Sequence, residues 1–448
     1  MSFLESLTNC KTLVKGTLEA PSMATPPPTW TRALALLAVL FAVLSTGNAI
    51  NKGGDAAVFF EGGRRFLVAE PLYAGSSAAD GFIGPPFQAA FFAPFAALNA
   101  VSPIAARLLW HALNLACFAL GVWWSLEAWN AARGRLGLRE LTSLPMLFAP
   151  LAAILLPLQT NFEHQNMNAL LLAFIAGATV QLLIGSAIVA GILIGAAAAL
   201  KAFPALLIVY LLVRRQWTAA LAAIASAGAL SIVLPLVVYG YAGFIDLART
   251  FWRLGSSGWP VRGNNQSLVA AIDRLTTGHL GVGDQSGVRV AAEAPLATTI
   301  FAAVAVVLLL IQLATLLRTR RGLAAVPAEI ASVTVLAILL SPIAWDHYWT
   351  LMLPAFLMIY GSSDRQLLGR AAPWLFWVAA VLTSGLSPLA LGRSGFNLAR
   401  ALSVDTFAAL VLFAGLIAVA NRAQPAANNA SRANASREPR GGASASRE

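Results

Sequence analysis

The chain is cut into apolar blocks of roughly the length that crosses a bilayer, and no other feature restricts its fold so strongly. They lie at 32–49, 84–99, 103–128, 143–159, 167–184, 186–200, 202–213, 217–240, 295–317, 328–344, 348–361, 371–391 and 403–420. A hydrocarbon layer about 30 Å thick takes roughly 20 helical residues to cross at 1.5 Å each. The blocks are runs of Leu, Ala, Ile, Val and Phe without the ten-residue alternation of a membrane barrel. Water offers no refuge for them: 58% of residues are hydrophobic and 11% charged, where a soluble domain has about half and a quarter. The expected fold class is therefore an all-α polytopic membrane protein, and a soluble enzyme on one anchor is excluded.

The 30 Lys and Arg exceed the 19 Asp and Glu. In a soluble protein that surplus would raise nucleic acid as a partner, but here the bases sit at block ends, where they set topology against anionic lipid. Arg133, Arg135 and Arg139; Arg214 and Arg215; Arg318, Arg320 and Arg321; Arg365 and Arg370; and the bases of both tails are expected on the cytoplasmic side. These assignments agree only if 82–128 makes one net crossing, so 85–98 is expected to be half-inserted or re-entrant. About 12 crossings result, with both termini cytoplasmic. The expected divisions are a cytoplasmic tail at 1–31, a membrane domain at 32–420 and a disordered cytoplasmic tail at 421–448. The first 28 residues lack the apolar core of a cleavable signal, so the first span is expected to serve as an uncleaved one. Cys10 and Cys117 offer neither a disulfide framework nor a metal cluster.

The same parity puts 50–83, 160–166, 241–294, 345–347 and 392–402 on the outer side, with Lys201 at the outer end of its span. One outward-facing polar site is the simplest reading. Asp55 follows the pair Gly53-Gly54 and opens a short amphipathic helix. It is either a helix cap, the commoner role, or a general base able to take a proton from a hydroxyl. Arg64 and Arg65 could hold a lipid phosphate or anchor the loop to headgroups, the anchor being the commoner role. Lys201 interrupts apolar sequence and must snorkel or pair, with a phosphate slightly favoured. In Trp345-Asp346-His347-Tyr348 the aromatics suit an interfacial belt, while Asp346 and His347 together suit anion binding or proton relay. Asn265 and Gln266 could bind sugar hydroxyls or form a turn, and Glu163-His164-Gln165-Asn166 is equally two-sided. No Walker loop, dinucleotide fingerprint, zinc spacing or Asp-x-Asp motif is present.

Taken in order, these motifs resemble glycosyltransferase family 87, polytopic enzymes of the GT-C class that use polyprenyl-phosphate sugars. The pieces are Gly54-Asp55 with 64–73; Gly84-Pro85-Pro86-Phe87 and Phe91-Phe92-Ala93-Pro94; Gly191 through Lys201-Ala202-Phe203-Pro204 to Arg214-Arg215; Asn265-Gln266-Ser267-Leu268; and Ser341-Pro342-Ile343-Ala344-Trp345-Asp346-His347-Tyr348. The chain departs from the family where a Tyr-Pro-Pro is usual, at Gly84-Pro85-Pro86. It departs again where a Gly-Gln-x-Asn turn is usual, at Gln165-Asn166-Met167-Asn168. The resemblance implies a GT-C-like bundle, Asp55 as catalytic base, and Lys201 and His347 on the donor phosphate.

The expected reaction moves a hexose, taken to be mannose, from a polyprenyl-phosphate donor to a hydroxyl of a glycolipid or glycan, with inversion, at the periplasmic face of the inner membrane. Arg64 and Arg65 join the donor-phosphate contacts. Asp346, Asn265, Gln266, Tyr348 and His164 are the expected substrate contacts, and neither a cofactor nor a divalent metal is called for. The rival class is a secondary transporter or lipid flippase, which would ordinarily show internal repeats and midplane charges. A catalytically dead scaffold of the same fold is a third possibility.

Overall fold

The computed structural model describes residues 29–423 apart from 78–79, 139–144, 279, 281–286 and 320–321. Most of both tails, Cys10, Arg139, Arg320 and Arg321 thus lie outside the described residues.

The described chain is almost wholly helical. The helices run α1 (Thr29–Asn51), α2 (Gly54–Leu67), α3 (Pro86–Val101), α4 (Pro103–Arg135), α5 (Pro145–Ala153), α6 (Leu155–Glu163), α7 (Asn168–Leu183), α8 (Ala187–Leu200) and α9 (Leu206–Val213). They continue as α10 (Trp217–Gly228), α11 (Leu234–Ser256), α12 (Leu268–Thr277), α13 (Pro295–Arg318), α14 (Val326–Leu340), α15 (Leu353–Tyr360), α16 (Ala371–Ala380), α17 (Pro388–Ala401) and α18 (Val404–Arg422). Two short strands, β1 (Trp259–Pro260) and β2 (Val288–Arg289), pair antiparallel between α11 and α13.

Among the described residues five helical stretches are long and apolar enough to cross a membrane, and seven if each of two bent pairs is one span. The chain is thus an all-α polytopic membrane protein, although length alone does not yield 12 crossings. The difference lies in blocks that read as continuous but are broken or short. Block 348–361 starts as a 3₁₀ turn over Asp346–Met352 before α15, and block 371–391 bends by 82° between Gly385 and Pro388. At 16 residues, α3 is only about 24 Å long.

Helix starts follow local chemistry. Ser102 accepts a hydrogen bond from the Ala105 N–H and is followed by Pro103, whose missing N–H costs nothing in a first turn. Ser267 caps α12 in the same way, through Ala270 N–H.

Close packing then fixes where α8 ends. A Cβ on Gly191 would lie 2.2 Å from the Ala219 carbonyl oxygen, and one on Gly195 2.4 Å from that of Ala223. This small-xxx-small stripe brings α8 against α10 at backbone contact, where dispersion between helices replaces the hydrophobic drive that lipid cannot supply. Lys201 caps the far end of that rigid pair.

Polar turns gather at the two ends of α7 and α8. At one end Arg133 binds Asp364 at 2.9 Å and the Gly361 carbonyl, Arg135 binds the Leu183 carbonyl at 3.0 Å, and Arg422 binds the Leu367 carbonyl. At the other end of α7 and α8 lie the turns that carry Asp55, His164, Lys201 and His347.

Candidate active site

Several loops, among them those that carry Asp55, His164, Lys201 and His347, meet around one cavity of about 390 Å³. Its polar wall includes Asp55, His164, Asn166, Lys201, His347 and Tyr348; Phe59, Phe82, Phe203 and Phe251 are among the apolar residues that line it.

Asp55 is placed by its backbone first. Gly54 has φ +50°, and a Cβ there would lie 2.6 Å from the His164 carbonyl oxygen, so only glycine lets the two loops touch. The Asp55 N–H then donates to that same carbonyl at 2.7 Å. The capping position is Gly53, without a side-chain cap. Instead of capping, the Asp55 carboxylate accepts the Asn166 Nδ2–H at 2.6 Å through Oδ2, while its Oδ1 stands 3.9 Å from His164 Nδ1.

Lys201 follows α8 in an extended conformation and lies in the turn between helices, 8% exposed. Its Nζ donates to the side-chain oxygens of Asn166 at 3.1 Å and Asn168 at 3.0 Å, and it rests 3.7 Å from the centre of the Tyr348 ring. A cation over an aromatic face is held by the ring quadrupole. Burial pushes the Lys201 ammonium down to about 7, against the opposing pull of the Asp55 carboxylate.

His347 is buried, and among the described residues neither ring nitrogen has a hydrogen-bond partner. Burial first, then the positive charges of Lys201 and His164, hold its imidazole well below the usual histidine range, so it is neutral and keeps one N–H to offer. Asp346 accepts the His347 backbone N–H at 2.9 Å and pairs with Arg400. It thus holds the turn as well as lining the cavity.

Two groups of expected contacts lie outside the cavity lining. Arg64 and Arg65 do not line the cavity. Arg64 pairs with Glu61 at 2.9 Å and Glu70 at 2.6 Å, and Arg65 pairs with Glu61 at 2.8 Å and donates to the Ala74 carbonyl at 2.8 Å. The Arg64 hydrogen bond is the main reason the Glu61 carboxyl is held down to about 2. These arginines are satisfied by their own loop, and a donor phosphate would have to displace carboxylates to reach them.

Asn265 and Gln266 are fully buried behind the wall. Asn265 Nδ2 donates to the Pro260 and Pro342 carbonyls, and its Oδ1 accepts the Ala344 N–H at 2.9 Å. Gln266 Nε2 donates to the Gly263 and Arg400 carbonyls. The Asn265 amide knits its loop to 342–344 and the Gln266 amide ties it to α17, and the neighbouring Asn264 lines the cavity instead.

Asn166, Arg262 and Asp80 also line the cavity, although the sequence reading did not single them out as site residues. The Asn166 turn is strained: Gln165 has φ +53°, a left-handed conformation that costs a non-glycine residue roughly 1 kcal/mol. It persists because α4 bolts it down. Trp110 Nε1 donates to the Gln165 carbonyl at 2.8 Å, Asn114 Nδ2 to the Asn166 carbonyl at 2.7 Å, and Gln165 Nε2 meets His111 Nδ1 at 3.2 Å. A polar Gln-Asn-Met-Asn run opening an apolar helix was the available signal.

Comparison with known proteins locates this arrangement. The model of the family described as "Glycosyltransferase family 87" matches residues 82–342. That interval holds Asn166 and Lys201, with Asp55 and His347 just beyond its two ends. A "Polyprenol-phosphate-mannose-dependent alpha-(1-2)-phosphatidylinositol mannoside mannosyltransferase" of Mycobacterium tuberculosis (strain ATCC 25618 / H37Rv) is 29% identical over 318 residues, 68% of this chain and 69% of that protein. A protein of the same description from Mycolicibacterium smegmatis (strain ATCC 700084 / mc(2)155) is 28% identical over 373 residues, 74% of each. Among solved structures, the crystal structure of ArnT from Cupriavidus metallidurans bound to undecaprenyl phosphate covers 91% of this chain and 80% of its own, at 17% identity and a TM-score of 0.41.

Proposed function

Because the chain belongs to glycosyltransferase family 87, we propose that this membrane hexosyltransferase moves mannose from a polyprenyl-phosphate donor to a hydroxyl of an anionic glycolipid. The donor and sugar follow the descriptions of its relatives, which also act on phosphatidylinositol mannosides. One observation carries the reading: a carboxylate with one free oxygen, a buried ammonium held only by neutral groups and a neutral imidazole with no partner line the same cavity.

In the proposed reaction the acceptor oxygen attacks the anomeric carbon as Asp55 takes its proton. The bond from that carbon to the phosphate oxygen breaks, and its electron pair leaves with the phosphate. Lys201 and His347 donate hydrogen bonds to the charge gathering there, where fixed donors in a dry site lower a barrier most. One base and a good leaving group make direct displacement with inversion sufficient. Tyr348 supports Lys201 from below, and His164 stands on the acceptor side of Asp55. The cation count removes the need for a divalent metal in this scheme, so activity should persist in EDTA. The site faces the periplasm of an inner membrane, with both termini cytoplasmic, because the bases at the opposite end follow the positive-inside rule. Membership of a transferase family leaves the transporter reading without support.

Purified protein, labelled polyprenyl-phosphate mannose and a phosphoinositide glycolipid test the proposal beside Asp55→Asn. Transfer by the wild type and a loss of about 10³-fold in a folded Asp55→Asn variant are expected; equal rates would remove Asp55 from the base role.

A further inference from the structure

We propose that Asn166 is the positioning residue of this site: its single amide spans the Asp55 carboxylate and the Lys201 ammonium, aims the first and keeps the two from closing into an ion pair. The inference rests on the base and donor-phosphate roles above and adds a residue to them.

The amide cannot turn around. Its Oδ1 already accepts two donors, the Met167 N–H at 2.8 Å and Lys201 Nζ at 3.1 Å, which leaves Nδ2 to point at Asp55. Nδ2 engages Asp55 Oδ2 at 2.6 Å, so Oδ1 of the carboxylate is the oxygen left facing the cavity, with His164 Nδ1 no nearer than 3.9 Å. Asn166 is 4% exposed, and its carbonyl is pinned by Asn114 at 2.7 Å. A short side chain on a fixed backbone therefore sets the direction of both reacting partners' contacts.

The need for such a spacer follows from charge. An ammonium and a carboxylate in one buried cavity attract strongly, since the local dielectric is far below that of water. Were they to close, the carboxylate would lose the lone pair meant for the acceptor proton, and the ammonium would lose the N–H meant for phosphate. A neutral amide satisfies one position on each and leaves the others free. Asn168 completes the cradle, accepting from Lys201 at 3.0 Å and donating to the His347 carbonyl at 3.1 Å.

Asn166→Asp tests this, because it keeps the size and the acceptor oxygen that Met167 and Lys201 use, yet replaces the donor to Asp55 by a second carboxylate. Donor KM and kcat would be measured from pH 5.5 to 9 on full-length protein with polyprenyl-phosphate mannose, beside Asn166→Gln, Asn166→Ser and Asp55→Asn. The new carboxylate holds the Lys201 proton more tightly, so the pH above which donor KM rises should move up by at least one unit, while kcat falls at least 30-fold. Asn166→Gln, which keeps an amide, should retain the wild-type pH limb and exceed the Asp variant in kcat by at least fivefold. Asn166→Ser reaches one partner only and should lose at least tenfold in kcat.

A fall in kcat without movement of the limb would reduce Asn166 to a prop of the turn and overturn the proposal. Wild-type behaviour of the Asp variant, or Asn166→Ser within twofold of wild type, would overturn it as well. Should the Asp variant not fold, the Gln and Ser variants decide by the same limits. Activity surviving in Asp55→Asn would instead bring down the base role itself, whereas an inactive Asp55→Asn beside unaffected Asn166 variants would bring down this inference alone.

Discussion

Two of the buried cations, Arg214 and Lys201, sit at opposite ends of the bundle, and of these two only Arg214 is provided with a counter-charge at contact distance. Arg214 is closed in: its Nε lies 3.1 Å from a Glu329 carboxylate oxygen and its Nη1 donates to the Thr319 carbonyl at 2.6 Å. Glu329 is saturated in turn by the Tyr210 hydroxyl at 3.1 Å and the Thr319 hydroxyl at 2.5 Å. Lys201 has two amide oxygens and an aromatic face, and it opens onto a cavity. A buried charge that is fully paired fastens helices together, here α9 to α14 and to the end of α13. One that is solvated only by neutral groups carries an unrecovered desolvation cost, and such costs are retained where an anion is to arrive.

Replacing each cation by methionine should therefore give opposite results. Lys201→Met is expected to lower kcat/KM for the donor at least 100-fold with thermal stability unchanged or raised, since the substitution removes a charge that burial disfavours. Arg214→Met leaves the buried Glu329 without its counter-charge, which should cost about 3 kcal/mol. Activity per folded molecule should stay near wild type, and adding Glu329→Leu should return most of the lost stability. Unfolding in detergent and initial rates on the same preparations separate the two. A Lys201→Met protein as unstable as Arg214→Met would erase the distinction.

The next effect is one of pH. With Lys201 pushed down to about 7, the empty site holds an ammonium below that value and a neutral amine above it. A sugar phosphodiester carries one charge that does not titrate near neutrality, and its binding stabilises the protonated lysine. Donor affinity is therefore full below about pH 7 and falls as pH rises, by up to tenfold in KM per unit. Stability runs the other way. A lysine depressed in the folded state binds fewer protons there than in the unfolded chain between about 7 and its ordinary value, so stability rises with pH across that window. Lys201→Arg should abolish the limb in KM, because a guanidinium does not lose its proton in this range. A limb that survives the substitution would have to come from another group, and burial keeps His347 from supplying it.

Much of this contrast was legible in the sequence, and the part that was not has a definite cause. Lys201 stood out because a lone base in apolar sequence is costly wherever it lies, and the parity of crossings placed it with Asp55 and His347. The span count was less secure. Hydropathy does not register that the 3₁₀ turn opening at Asp346 runs on to Met352, or that block 371–391 bends after Gly385. Asn166 was hidden because an asparagine in a turn is ordinary; only the positions of Lys201, 35 residues away, and Asp55, 111 residues away, give it a role. Asn265 and Gln266 read two ways for the complementary reason. Amides suited to sugar hydroxyls are equally suited to backbone carbonyls, and burial decided between them.

Arg64 and Arg65 complete the comparison as cations that are paired but exposed. Their sequence position, nine and ten residues beyond Asp55, suggested phosphate binding. Yet Arg64 is about half exposed in side chain and shares its charge between two carboxylates, and Arg65 spends its guanidinium on Glu61 and on the 72–74 backbone. Exposed pairs of this kind contribute little, because water screens the attraction and ordering two long side chains offsets it. Arg64→Gln is therefore expected to leave donor KM within threefold of wild type at any salt concentration. Arg65→Gln should act somewhat more strongly, through loosening of the loop that carries Leu72 and Tyr73 rather than through phosphate. A rise in donor KM of tenfold or more in Arg64→Gln, growing as salt is lowered, would mean that the donor displaces Glu61 or Glu70 on binding. In that case counter-charge at contact distance would no longer separate Arg64, Arg65 and Arg214 from Lys201 as the cation that receives the phosphate.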